Sequence, residues 1–312
     1  MRSDLGSRDL IVALSGGIGG AKLALGLSHV VAPENLVIIA NTGDDFEHLG
    51  LAISPDIDTL TYTLAGLDNT TLGWGRRDET WSFMETLATI GGPTWFRLGD
   101  RDLALHVERT RRLRAGETLS AITDDVARHW GIAARIIPMS NDPVRTRVRA
   151  ESGWLDFQDY FVGQQCRPVI DAIAFHGAET ATAHPDALAA LASPRLKAVV
   201  ICPSNPFISV EPILAVPGMR AAIAGCGAPV IAVSPIIGGK AVKGPTAKMM
   251  AELGLEVSAA GVAARYGDLL THYVLDHADA GAIVAQRVSV AQTLMTTLEE
   301  KVALARAVLQ AV

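Results

Sequence analysis

Short apolar, β-branched runs recur along the chain, each followed by small or turn-forming residues, the pattern of buried strands that end in loops. The clearest cover 10–14, 36–40, 198–202 and 230–234. Between them, apolar residues fall at helical spacing over 21–31, 184–192 and 243–252. Strand, helix, strand at both ends of the chain predicts a Rossmann-like three-layer α/β fold, with a mostly parallel sheet covered on both faces. Over about 78–130 the pattern changes to consecutive helices without a convincing strand, and this stretch reads as a helical insertion carrying many Arg residues with Trp81, Trp95 and Trp130. Beyond it, 145–150 and 154–157 read as an antiparallel hairpin or edge. A last helix from about Thr297 sets Leu298, Val302, Ala305 and Leu309 on one packing face. No repeat, low-complexity tract or linker divides the 312 residues, so one domain is expected.

Composition agrees with this fold class and removes several functions. Hydrophobic residues make up 49% of the chain but aromatics only 5%, so the core must rest on Ala, Val, Leu and Ile, as in α/β proteins. A net charge of -6 argues against electrostatic binding of nucleic acid, which needs many cations against phosphate. Cys166, Cys202 and Cys226 lie far apart, without zinc or disulfide spacing, and read as buried thiols in a reducing compartment. No apolar run reaches the roughly 18 residues of a membrane span. The run at 10–14 is too short for a signal-peptide core and gives way to Ser15 and glycines, so a cytoplasmic location is expected, with the residues before Asp9 a frayed lead-in.

The chemistry-bearing residues gather after the strand signals. Gly16, Gly17, Gly19 and Gly20 follow the first strand and open the first helix, where free backbone N–H groups and the helix dipole make an anion site suited to phosphate. The spacing fits neither the P-loop nor the dinucleotide fingerprint, since Lys22 stands where the last glycine would be. Asn41-Thr42-Gly43-Asp44-Asp45 follows the second strand, and its adjacent carboxylates suit Mg²⁺; a solvated Asx turn is the rival explanation. In Ser54-Pro55-Asp56-Ile57-Asp58, Ser54 reads as an N-cap, Pro55 as the first helical residue and Asp56 as a complement to the dipole. Asp58 lies deeper, close to the first acidic pair, and is a candidate site residue. Trp74, Arg76, Trp81, Trp95 and Arg97 interleave aromatic rings with guanidinium groups, which suits a flat heterocycle as well as ordinary packing. Ser204 and Asn205 emerge at a third strand end, to bond a nucleotide or to cap the next helix. Gly238 and Gly239, with Lys240 and Lys243, suggest further phosphate contacts.

In this order, Gly16-Gly17-Ile18-Gly19-Gly20-Ala21, Asn41-Thr42-Gly43-Asp44-Asp45, Pro55-Asp56-Ile57-Asp58-Thr59, Gly73-Trp74-Gly75, 95–102, Ser204-Asn205-Pro206 and 234–239 resemble the CofD family of 2-phospho-L-lactate transferases. The resemblance runs from about Leu10 to the C-terminus. It implies a Mg²⁺-dependent step of coenzyme F-420 biosynthesis, with a guanosine diphosphate-linked hydroxyacid as donor, a deazaflavin alcohol as acceptor and GMP as product. It implies that Asp58, Arg97 and Trp95 meet the deazaflavin, that Asp44, Asp45 and Asp58 serve the metal, and that Asp45 or Asp58 acts on the acceptor hydroxyl. Ser204, Asn205 and the glycines at 16, 17, 19, 20, 238 and 239 would then hold the nucleotide. Asn141-Asp142 departs from the two acids the family often has at that loop. A YvcK-like regulatory protein that binds a nucleotide sugar is the alternative, and a homodimer is the expected assembly.

Overall fold

The computed structural model describes residues 9–242 and 244–312; residues 1–8, read above as a lead-in, and Lys243, the expected start of helix 243–252, lie outside the described residues. β1 (Leu10–Ser15) is buried at every position. The chain turns at once into α1 (Gly17–Ser28) and returns along β2 (Leu36–Ala40), parallel to β1 with Ile11 opposite Leu36. A short hairpin, β3 (Phe46–His48) and β4 (Leu51–Ile53), leads into α2 (Pro55–Leu64). The insertion then runs through α3 (Ser82–Thr89), α4 (Asp100–Arg114) and α5 (Leu119–His129), helical as its pattern predicts.

β5 (Arg135–Pro138) joins the main sheet beside β2. β6 (Arg145–Ala150) and β7 (Gly153–Asp156) form the expected hairpin, and β8 (Ile170–His176) pairs on the other side of β6, so this is a separate three-stranded sheet rather than an edge of the main one. The second half continues through α6 (Pro185–Leu191), β9 (Leu196–Ile201), α7 (Glu211–Ala215), α8 (Met219–Ala224) and β10 (Val230–Val233). A hairpin of β11 (Ile236–Ile237) and β12 (Lys240–Ala241) precedes α9 (Thr246–Glu252), α10 (Ala259–Tyr266), β13 (His272–Asp276), β14 (Arg287–Ala291) and α11 (Leu298–Gln310).

The main sheet is parallel and seven-stranded, in the order β14-β13-β10-β9-β1-β2-β5. The chain builds outward from β1 to β2 and β5, then crosses back to β9 and builds the other way. Such a reversal opens a crevice at the carboxyl ends of the two strands on either side of it, here β1 and β9. Residues of β1 alternate between two cores: Leu10, Val12 and Leu14 face one, Ile11 and Ala13 the other, as the period-two alternation of a strand requires. The second core is completed by α1, α2 and α11, the first by α6 to α10.

Three features differ from the sequence expectation. β5, β13 and β14 were not foreseen, because each is short with polar or Pro ends, and β14 is half exposed as an edge strand. α1 begins at Gly17, since the glycine turn itself forms the first helical turn. In α11 the buried face is Lys301, Leu304, Ala305, Val308 and Leu309, while Leu298 is exposed. Thr297 and Glu300 form a capping box there, which sets Leu298 at the solvent end of the first turn. Among the described residues no helix is long and apolar enough to cross a membrane.

α1 and α11 pack so closely that a Cβ on Gly26 would stand 2.1 Å from the Lys301 carbonyl oxygen. Gly26→Ala is therefore expected to destabilise the protein by about 1–3 kcal/mol, the cost of overpacking. Urea unfolding should show a lower midpoint at an unchanged slope; an unaltered midpoint would show that the helices separate at no cost.

Candidate active site

The crevice is built around one buried carboxylate. Asp56, in the first turn of α2, accepts from Gly17 N at 2.6 Å and from Asn41 Nδ2 at 2.7 Å. The loop after β1, the loop after β2 and the start of α2 are thereby joined at one point. Gly17 adopts φ +63°, which only glycine takes readily, and sits where α1 opens. Asp56 is thus more than a partner of its own helix dipole: it occupies part of the anion site at the start of α1. Ser204 closes the turn from the far side, its hydroxyl donating to Gly16 O at 2.6 Å. The neighbouring glycines are needed for packing against this loop, since a Cβ on Gly19 would lie 2.1 Å from Pro203 O and one on Gly20 2.8 Å from Ser204 Oγ. Asn205 takes the capping role, accepting from Phe207 N at 3.0 Å.

Asp44 and Asp45 lie at the end of β2, both buried. Asn41 donates to Ile208 O at 3.0 Å, accepts from Gly43 N at 2.9 Å, and lies 3.4 Å from Asp44 Oδ1. Ser54 does not cap α2; its hydroxyl donates to Asp45 Oδ2 at 2.9 Å, while Asp45 Oδ1 is buried without a hydrogen-bond partner. Burial raises the Asp44 carboxyl well above its ordinary range, and the charges of Asp56 and Asp45 raise it further. Burial likewise pushes Asp45 up to about 7 and Asp56 up to about 6. Crowded, desolvated carboxylates with an orphaned oxygen are what a hard divalent cation would relieve, so these residues fit a metal site.

Asp58 has a different setting. Both its oxygens meet Arg109 of α4, with Nη1 at 3.0 Å from Oδ2, and His106 Nδ1 lies 3.7 Å away. His106 Nε2 stands 3.2 Å from Asp102, which also accepts from the Tyr62 hydroxyl. Asp58 is near enough to Asp45 to raise its pKa, yet its own charge is already answered. Sequence reasoning had Asn41 in the acidic cluster without a role of its own, gave Asp56 only to the helix dipole, and missed His106 and Arg109 as site-forming residues. A signal for the last two exists, because His106 and Arg109 share the buried stripe of α4 with Leu105, where a solvated helix would carry apolar residues.

Trp95 and Arg97 lie on the insertion and share no hydrogen bond or ion pair with Asp58 among the described residues. Trp95 packs edge-on against His48 with centroids 5.0 Å apart, next to Phe46 and Phe96, and Arg97 lies over the Trp81 ring at 4.1 Å. Both are exposed, forming an aromatic and cationic shelf. Gly238 and Gly239 form the tip between β11 and β12, with φ +55° and +71°, as a two-residue hairpin turn of this hand demands. Gly238 N donates to Asp279 at 2.9 Å. Asn141 and Asp142 serve local structure, accepting from Ser120 N at 2.9 Å and Thr182 N at 2.7 Å.

Residues 11–308 match the family model described as 2-phospho-L-lactate transferase CofD. A phosphoenolpyruvate transferase of Streptomyces griseus is 43% identical over 96% of this chain and 97% of its own. A 2-phospho-L-lactate transferase of Methanosarcina mazei is 37% identical, over 96% of this chain and all of its own (100%). Among solved structures, a UPF0052-family protein of Bacillus halodurans superposes with a TM-score of 0.61 over 96% of this chain and 98% of that one, at 14% identity, a likeness of fold.

The acidic trio generates a pH-dependent stability. Each carboxyl is raised in the folded state above its ordinary 3.8, so the folded protein is penalised as the group ionises, an effect absent below about pH 4 and, for Asp56 and Asp45, developed through about pH 6 and 7. Without divalent cations, the melting temperature should fall across that window, and millimolar Mg²⁺ should raise it more at pH 8 than at pH 5. A Mg²⁺ shift equal at both pH values would exclude a cation on these carboxylates. Arg109→Met leaves Asp58 buried and unanswered and should cost about 3–5 kcal/mol of stability, with Asp58→Asn in the same chain restoring part of it; denaturant unfolding of the single and double variants decides this.

Proposed function

The chain belongs to the CofD family of 2-phospho-L-lactate transferases, and on that premise we propose that this transferase moves a phospho-hydroxyacid group from a guanosine diphosphate carrier to the ribityl hydroxyl of 7,8-didemethyl-8-hydroxy-5-deazariboflavin, releasing GMP, in coenzyme F-420 biosynthesis. The observation that carries the reading is the trio Asp44, Asp45 and Asp56 beside the glycine turn, at the strand ends where open α/β sheets bind ligands. Of the acids open to the donor, enolpyruvate is best supported. Relatives of Streptomyces griseus, Kitasatospora aureofaciens and Streptomyces coelicolor named phosphoenolpyruvate transferase are 41–43% identical, while a 2-phospho-L-lactate transferase of Methanosarcina mazei and phosphoenolpyruvate transferases of two mycobacteria stand at 36–37%.

The acceptor oxygen attacks the phosphorus that bears the acid, the bond from that phosphorus to GMP breaks, and the hydroxyl proton leaves to a base. Asp44, oriented by Asn41, would be the principal ligand of Mg²⁺, with Asp45 beside it. Mg²⁺ bound there would offset charge on the diphosphate and on departing GMP. Asp45 is suited to take the hydroxyl proton: burial holds its carboxyl at about 7, despite Arg145 and Ser54 pulling it down, and its Oδ1 has no hydrogen-bond partner. Asp58 keeps both its oxygens on Arg109. Its role in the proposal is to lock α2 to α4 beneath the acceptor.

The amides at the start of α1 other than that of Gly17, which Asp56 holds, would meet the diphosphate, with Ser204 holding the turn through Gly16 O. Asn205 and the Gly238–Gly239 hairpin flank the guanosine. Trp95 and Arg97 provide the shelf for the deazaflavin ring.

Purified protein with Mg²⁺ and the deazaflavin alcohol should release GMP and give a product of the mass expected for the donor, fastest with the enolpyruvyl donor. No product with the lactyl, enolpyruvyl or glyceryl donor would sink the proposal. Asp45→Asn should lower kcat by about 10²–10⁴-fold. Asp44→Asn should raise the Mg²⁺ concentration needed for half-maximal rate; full activity at unchanged Mg²⁺ would remove Asp44 from the metal.

A further inference from the structure

β6 carries Arg145, Arg147 and Arg149 at alternate positions, so the three side chains share one face of the small sheet while Thr146, Val148 and Ala150 are buried on the other. Two of the three are neutralised by neighbouring strands. Arg147 pairs with Asp156 of β7 at 2.9 Å, and Arg149 pairs with Asp171 of β8 at 2.7 Å, its guanidinium 5.8 Å from the centre of the Trp154 ring. Arg145 forms no ion pair with a carboxylate among the described residues. Its Nη1 donates to Val144 O at 2.8 Å, and the side chain is half-buried.

The position of Arg145 is set by the crevice. The next residue, Thr146, donates its backbone N–H to Gly43 O at 2.7 Å, which fastens the start of β6 to the loop that bears Asp44 and Asp45. The guanidinium is close enough to Asp45 to act on its carboxylate, second only to burial in effect, without a direct contact. A half-buried guanidinium without a carboxylate partner, held at the edge of an acidic pocket that must admit an anionic substrate, is a binding group awaiting its counter-ion.

We infer that Arg145 binds the carboxylate of the acid carried by the donor. The inference rests on the proposed function for the identity of that acid. In the proposed function the donor's phosphates would be met by the remaining amides of α1 and by a metal held at Asp44. The carboxylate, one carbon from the ester oxygen, has none of these, and a planar guanidinium matches it with two parallel hydrogen bonds. Arg145 would thus select for an acid and hold it away from Asp45, leaving that carboxylate to the acceptor hydroxyl.

Full-length wild-type, Arg145→Gln, Arg145→Lys and Arg147→Gln proteins are titrated calorimetrically, with Mg²⁺ present, against GDP and against phosphoenolpyruvate. Loss of one charge-assisted contact predicts that Arg145→Gln weakens phosphoenolpyruvate by about 10–100-fold, with GDP changed by less than about 2-fold. Arg145→Lys should fall between Arg145→Gln and wild type, and Arg147→Gln should match wild type for both ligands. Equal weakening of GDP and phosphoenolpyruvate would overturn the carboxylate assignment in favour of a phosphate contact, and unchanged affinity for both would overturn it outright. If Arg145→Gln fails to fold, Arg145→Lys is read by the same criteria, since it keeps the charge and loses the fork. A wild-type protein that binds phosphoenolpyruvate through Arg145 yet turns over no guanosine donor would sink the transfer reaction and leave this inference standing.

Discussion

Asp56 reaches from the first turn of α2 to the Gly17 amide and the Asn41 side chain, and through those two hydrogen bonds it joins segments 39 and 15 residues away. Most of the crevice depends on this contact. It holds the glycine turn in its left-handed start, it orients the amide of Asn41 toward Asp44 and Ile208, and it places a negative charge where a helix N-terminus would otherwise attract one. Because the carboxylate is buried, its hydrogen bonds are strong and an unmet partner would be expensive, so the three segments are held in one arrangement.

The same burial makes the pocket electrostatically tense. Asp44, Asp45 and Asp56 are all held above their ordinary pKa, and Asp45 keeps an oxygen without a hydrogen bond. Folded proteins tolerate such arrangements where function supplies the missing counter-charge. Asp58 shows the contrasting solution: Arg109, also buried, answers it fully, and the pair joins α2 to α4. Two acids two residues apart on one helix are therefore answered differently, one by a backbone amide and an Asn side chain and the other by a buried guanidinium, and the difference lies in which segments pack above them.

The fold carries little of this meaning. A UPF0052-family protein shares the architecture at 14% identity, and such a sheet with a glycine turn can serve many chemistries. The chemistry-bearing groups of this chain are attached to that scaffold: the acidic trio, the aromatic shelf of Trp81, Trp95 and Arg97, and the arginine row of β6. The shelf belongs to the insertion and the row to the small antiparallel sheet, both outside the seven parallel strands. Their contacts with the crevice come through the hairpin β3–β4 and the loop after β2.

By itself the sequence determined the alternation of strands and helices, the helical insertion, and the loops in which acids and glycines gather. These follow from local rules: buried parallel strands must be continuously apolar, and tight turns need glycine. Edge strands such as β14 obey those rules weakly, since half their surface is wet, and so they passed unseen. The partner of each polar residue was beyond local reading. Asp56 and Asp58 stand two residues apart on α2 with nearly the same local context, yet one meets Gly17 and Asn41 and the other Arg109. Only the tertiary structure decided that, because a buried charge takes its state from groups brought up by distant segments, and their approach is set by the packing of whole helices on the sheet.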